Sequence, residues 1–102
     1  MNSLLQVILE IMEINNDQRF TVSSEVLFQE VSGEMVLLDL ASESYFGLDE
    51  IGARIWGLLG EGKNQGQILD VLLREYEVDR KTLEVDLVEL LGELLEAGLI
   101  EV

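Results

Sequence analysis

The chain contains no cysteine, no histidine and no proline. Without cysteine there is no disulfide and no thiolate nucleophile, and the fold is expected to be independent of oxidation. With histidine also missing, the usual zinc sites and the Ser-His-Asp and Cys-His arrangements of nucleophilic catalysis are excluded. Cations are scarce: 6 Lys and Arg face 21 Asp and Glu, for a formal net charge of −15. A surface of that sign repels phosphate backbones and anionic bilayers, which disfavours nucleic acid and membrane as partners. A basic partner would be attracted and steered. The same acid also serves simply to keep a small apolar protein soluble, and composition does not choose between these roles. No phosphate-binding loop is visible, so no enzymatic activity, cofactor or metal is expected.

What is present is apolar. Hydrophobic residues make up 48% of the 102, enough for one domain with a modest core. The opening stretch, MNSLLQVILEIMEI, lacks the basic start and small-residue cleavage site of a signal peptide. It is too short and too acidic to span a bilayer. A cytoplasmic location is expected. Leu4, Ile8, Ile11 and Met12 fall on one helical face, with Leu5 and Ile14 beside it. Residues 1–17 are therefore read as an amphipathic segment that packs on the body or on a second copy, which would give a homodimer. Residues 18–102 are read as the folded domain.

After a turn at NNDQ, Arg19 to Ser23 reads as extended. Glu25 to Val31 and Glu34 to Leu40 are β-rich runs joined by Ser32-Gly33, a tight-hairpin signal. A second turn at Ala41 to Ser44 leads into a short third strand, Ser44 to Leu48. Three helices follow. Asp49 is placed to cap the first, Glu50 to Leu59. Gly60-Glu61-Gly62 stops it. Asn64 with Gln67 resembles a capping box for the second. The third runs from near Asp79 to about Ala97 and ends at Gly98, with Leu99-Ile100 as an apolar tail. This order predicts a compact α+β domain: a three-stranded antiparallel sheet followed by three helices.

Two features point to a binding surface. The third strand (Ser44, Tyr45, Phe46, Gly47, Leu48) is short, apolar and expected at a sheet edge, where unpaired N–H and C=O groups accept another strand. Alternation along a strand requires that one of Tyr45 and Phe46 face inward. On the third helix, Leu83, Leu87, Leu90, Leu91 and Leu94 spread with Val88 and Leu95 over about half the circumference at 100° per residue. That is wider than the covering of one small sheet requires. The excess either lines a groove beside the sheet edge or packs against the second helix or the N-terminal segment. Glu89, Glu93 and Glu96 are expected on the opposite side. Asp79 reads as an N-cap rather than a catalytic carboxylate. Gly52 is explained by close approach of strand and helix, and Trp56 is read as core.

Together these runs resemble the PqqD-like family, whose members are also called RiPP recognition elements. The likeness rests on Leu48-Asp49-x-x-Gly52-Ala53-x-Ile55-Trp56, on Ile68 to Tyr76, on Asp86-Leu87-x-x-Leu90-Leu91-x-x-Leu94, and on Gly98-Leu99. It covers about residues 25 to 100 and is most similar to the free-standing leader-binding proteins of lasso-peptide clusters. The resemblance implies a winged-helix-like packing and a non-catalytic chaperone of a ribosomally made precursor peptide. The leader would add as a strand to Ser44–Leu48 and lie against the third helix, with Asp86 hydrogen-bonding it, pairing with its charge or serving only as surface charge. Partner enzymes would be a leader peptidase and cyclase, or a radical SAM enzyme in the alternative reading. A plain dimerisation module also stays open. A winged-helix DNA binder would need a basic third helix, and after Arg80 and Lys81 this one carries only acids. An acyl carrier would need an Asp-Ser-Leu triplet, which does not occur.

Overall fold

The computed structural model describes residues 16–102, so nearly all of the expected N-terminal segment lies outside the described residues. In chain order these form β1 (Thr21–Val22), β2 (Val26–Val31), β3 (Glu34–Asp39), β4 (Ser44–Leu48), α1 (Glu50–Gly60), α2 (Gln65–Glu75), α3 (Arg80–Glu96) and β5 (Ile100–Glu101). The α+β order read from the sequence holds: an antiparallel β2–β3–β4 sheet followed by three helices.

The sheet is fixed by its first turn. Ser32 and Gly33 both adopt positive φ, 54° and 84°, as a two-residue type I′ turn demands. Val31 then faces Glu34, and the register runs on to Val26 opposite Asp39. β4 continues it on the other side of β3, with Leu37 opposite Phe46 and Leu38 opposite Tyr45. Opposed residues share a face. Met35, Leu37 and Leu48 thus point into the core and are buried, while Leu27, Val36 and Tyr45 point outward and are exposed.

The helices begin and end where local chemistry satisfies their free backbone groups. Asp49 caps α1, its Oδ1 accepting from the Gly52 N–H at 2.8 Å. Asn64 and Gln67 exchange reciprocal bonds at 2.8 and 2.9 Å, completing the capping box of α2. Asp79 caps α3 by accepting from the Thr82 N–H at 3.1 Å. At the far end of α3, Gly98 takes φ +76°, and the Leu99 N–H donates to the Leu94 carbonyl at 2.9 Å. This αL turn reverses the chain. The expected apolar tail is therefore a strand: Ile100 pairs with Val22 and Glu101 with Thr21. The two halves of this small sheet are distant in sequence and two residues long each, too short to show a periodicity of their own.

The core lies between the inner sheet face and the helices. Leu37, Ile68, Leu72, Leu91 and Leu94 are wholly buried, and Trp56 is buried as read. Gly52 marks the tightest joint, since a Cβ there would stand 3.2 Å from both Leu48 Cβ and Asp49 Oδ1. The close approach inferred for this glycine is present.

Replacing Leu91 by Ala should destabilise the domain by about 2–5 kcal/mol, the usual range for a fully buried leucine, read from urea unfolding. A second expectation concerns pH. Arg54 joins α1 to α2 through a two-point fork on Glu75, at 2.8 and 2.9 Å. Hydrogen bonding from Arg54 holds the Glu75 carboxyl below its ordinary value of 4.5. A depressed folded pKa stabilises above the unfolded value and loses that effect as pH falls through the folded one. Glu75→Gln should therefore lower the thermal midpoint slightly at neutral pH, and the gap from wild type should close as the pH drops below about 4.5.

Candidate functional site

β4 forms one edge of the sheet. Which of its backbone groups are open follows from the hairpin. A two-residue turn makes its flanking pair, Val31 and Glu34, the doubly hydrogen-bonded one, and such pairs then alternate along the ladder. The Leu40 N–H donating to the Glu25 carbonyl at 2.9 Å keeps this rhythm. Residues 34, 36, 38 and 40 thus turn their backbone groups toward β2, leaving Met35, Leu37 and Asp39 to bond β4 through Leu48, Phe46 and Ser44. Tyr45 and Gly47 are left with their N–H and C=O directed away from the sheet.

Below this edge lies a cleft of about 430 Å³. Its walls are Phe46, Gly47 and Leu48 of β4, then Ile51, Gly52 and Ile55 of α1. Across from them stand Val78, Thr82, Leu83, Asp86, Leu87, Leu90 and Glu93, at and along α3. Leu48, Leu83 and Leu87 are buried and form the floor, with Val78 exposed at the rim. The charged residues lining it are all acids: Asp49, Asp86 and Glu93. Asp49 is engaged with the first turn of α1, which leaves Asp86 and Glu93, both exposed, on the α3 rim.

The structure brings together Phe46, Gly47, Leu48, Leu83, Asp86, Leu87 and Leu90 among the residues singled out by sequence. It separates four others. Tyr45 is 77% exposed on the outer face of the sheet and Phe46 is the inward partner. Ser44 sits opposite Asp39 at the far end of β4, outside the cleft lining. Leu91 and Leu94 are 0% exposed. Their side chains pack in the core and do not line the cleft, because the α3 arc divides: Leu83, Leu87 and Leu90 look toward β4, Val88, Leu91 and Leu94 into the domain. Glu93, expected on the far side of α3, lines the cleft instead. It follows Asp86 by seven residues and Leu90 by three, spacings that return to one helical face. That spacing was the available signal for Glu93. For Ile51, Gly52 and Ile55 the signal was their direct continuation of the β4 strand.

Among the described residues, no group of three or more acidic, histidine or cysteine side chains is placed to hold a metal ion. No helix among them is long and apolar enough to cross a membrane. The arrangement offers an open main-chain edge above an apolar trough with an acidic rim.

Comparison with known proteins bears on this geometry. No curated protein sequence matches the chain. Two solved structures are similar. One, described as TbiB1 in complex with the TbiA(beta) leader peptide, is 44% identical, with a TM-score of 0.74 over 79% of this chain and 94% of that one. The other, a lasso peptide synthetase B1 complexed with the leader peptide, is 30% identical, also with a TM-score of 0.74, over 83% of this chain and 100% of that one. The family model of coenzyme PQQ synthesis protein D, PqqD, matches residues 34–100. This chain belongs to the PqqD family.

Proposed function

We propose that the protein is a non-catalytic carrier of a precursor-peptide leader, binding it by strand addition at β4 and presenting it to separate modifying enzymes. The observation that carries this reading is the juxtaposition of the free β4 edge with the apolar cleft, in a chain 44% identical to a protein solved with a leader peptide. Tyr45 and Gly47 supply the main-chain bonds, each contributing about 0.5–1.5 kcal/mol net. Alternate leader side chains enter the trough between Phe46, Leu48, Leu87 and Leu90, where burial of apolar surface contributes about 25 cal/mol per Å² before the costs of association. The main chain thus gives affinity and the trough gives preference for sequence. Ser44 acts through the strand it begins. Asp86 is placed to meet a donor or cation on the peptide.

The lasso-peptide setting is favoured over a radical SAM partnership by the second solved neighbour, a lasso peptide synthetase B1. The enzymes served would then be a leader peptidase and a cyclase, in the cytoplasm where precursor and enzymes are made.

The test is binding of a labelled synthetic TbiA(beta) leader peptide, the ligand of the 44% identical solved protein, followed by fluorescence polarisation. Gly47→Pro removes an outward N–H and should abolish binding while circular dichroism and the thermal midpoint stay near wild type. Phe46→Pro removes an N–H that bonds β3, and should unfold or strongly destabilise the domain. Intact binding by a folded Gly47→Pro variant would refute strand addition at this edge. Leu90→Ala should weaken binding about tenfold, the scale of a lost leucine contact at an interface. Raising salt from 50 to 500 mM should cost less than Leu90→Ala does, because exposed charge pairs are individually weak and screened.

A further inference from the structure

The cleft beneath β4 carries a charge pattern that strand addition alone does not use. Asp86 and Glu93 lie seven residues apart on α3, a spacing that returns them to one helical face. Leu90 stands between them on the same wall of the cleft. Both carboxylates are exposed. Among the described residues, neither takes part in an ion pair or a side-chain hydrogen bond.

The chain has no lysine or arginine for them. Its six cations are Arg19, Arg54, Lys63, Arg74, Arg80 and Lys81. Residues 1–15 hold none, so that segment can bring no lysine or arginine to the cleft wherever it lies. None of the six lines the cleft. Arg54 is engaged with Glu75 and Glu61, and Arg80 with Glu84 one turn along α3. Arg19 donates to the Gly62 carbonyl.

Acids spread over a surface keep a protein soluble. Acids on the rim of an apolar trough have a second effect. Seating an apolar leader side chain on Leu90 brings its neighbours in sequence to that rim. An acidic neighbour then meets like charge, and discrimination between ligands is often built from such repulsion. A lysine or arginine suits the place, because its stem lies on apolar surface while its charged head stays in water. Seven helical residues rise about 10.5 Å, roughly the length of three residues of extended chain. A short leader segment running along this wall therefore spans both acids.

We propose that Asp86 and Glu93 select the charge of the leader: the cleft takes leaders whose seated apolar residue is flanked by lysine or arginine, and rejects those flanked by aspartate or glutamate. This rests on the leader-binding reading above. The two carboxylates are specificity residues of that cleft and not a site of their own.

The test is a paired scan. Each residue of the labelled TbiA(beta) leader is replaced in turn by lysine and by glutamate, and binding is read by polarisation at about 50 mM salt, where screening is weak. At one or more positions lysine should bind the wild-type protein about fivefold tighter than glutamate, the upper end for one exposed ion pair. In Asp86→Asn/Glu93→Gln that preference should fall to the level of the other positions, and in Asp86→Lys/Glu93→Lys it should reverse. The control is Glu89→Gln/Glu96→Gln. It removes the same charge from exposed positions of α3 that do not line the cleft, and it should leave the preference intact. A preference absent at every position, unchanged by neutralising Asp86 and Glu93, or lost equally in the control would overturn the proposal. If the unmodified leader still binds and still depends on Gly47 and Leu90, that result removes the charge selection alone. If the unmodified leader does not bind, or binds Gly47→Pro undiminished, the leader-binding reading falls and this inference with it.

Discussion

The joint between β4 and α1 governs the rest of the site. Leu48 ends the strand facing inward, Asp49 turns the chain and caps the helix, and Gly52 lets the first helical turn close onto Leu48. Three consecutive demands meet within five residues: a side chain that must be buried, a side chain that must bond backward to the backbone, and a position with no room for a side chain. Because strand and helix meet so tightly, the strand's outer edge and the trough beneath it keep a fixed relation. A looser junction would leave the same edge and the same leucines without a fixed alignment between them.

The acids of this chain do several kinds of work that composition could not separate. Asp49 and Asp79 are spent on helix starts. Glu75 is spent on Arg54 between α1 and α2. Asp39, buried in β3, accepts from the Ala41 N–H and the Ser42 hydroxyl and so shapes the turn before β4. Of the acids that line the cleft, Asp86 and Glu93 are the ones left over from structural duty. The net charge of −15 is therefore a poor measure of what the site presents; two rim carboxylates are the relevant quantity.

Much of this was legible in the sequence because the signals were local. The Ser32-Gly33 turn, the Asp49 and Asp79 caps, the Asn64–Gln67 box and the Gly98 stop each depend on a few neighbouring residues, and each stands where it was read. The edge position of β4 also followed from element order. What escaped was set by tertiary packing. Periodicity showed that α3 was apolar over a wide arc, but which leucines met the core depended on where α1 and α2 came to rest, so Leu91 and Leu94 were grouped with the cleft and Glu93 was not. The β1–β5 pair escaped because a strand of two residues has no pattern until its partner, some eighty positions away, is brought beside it.

The alternation along β4 carries one more consequence. Only Tyr45 and Gly47 offer bonds outward, so an added strand can shift along the edge only in steps of two residues, about 7 Å at roughly 3.4 Å per residue. A one-residue slip would turn every cleft-facing side chain to the outer face. The edge is in effect a ruler with coarse graduations. Under the proposed strand addition, chemistry on the peptide beyond the edge would begin at a distance counted out from Gly47, and an odd-numbered insertion between anchor and target would have to be absorbed by slack in the peptide, since the edge itself has no half-step to offer.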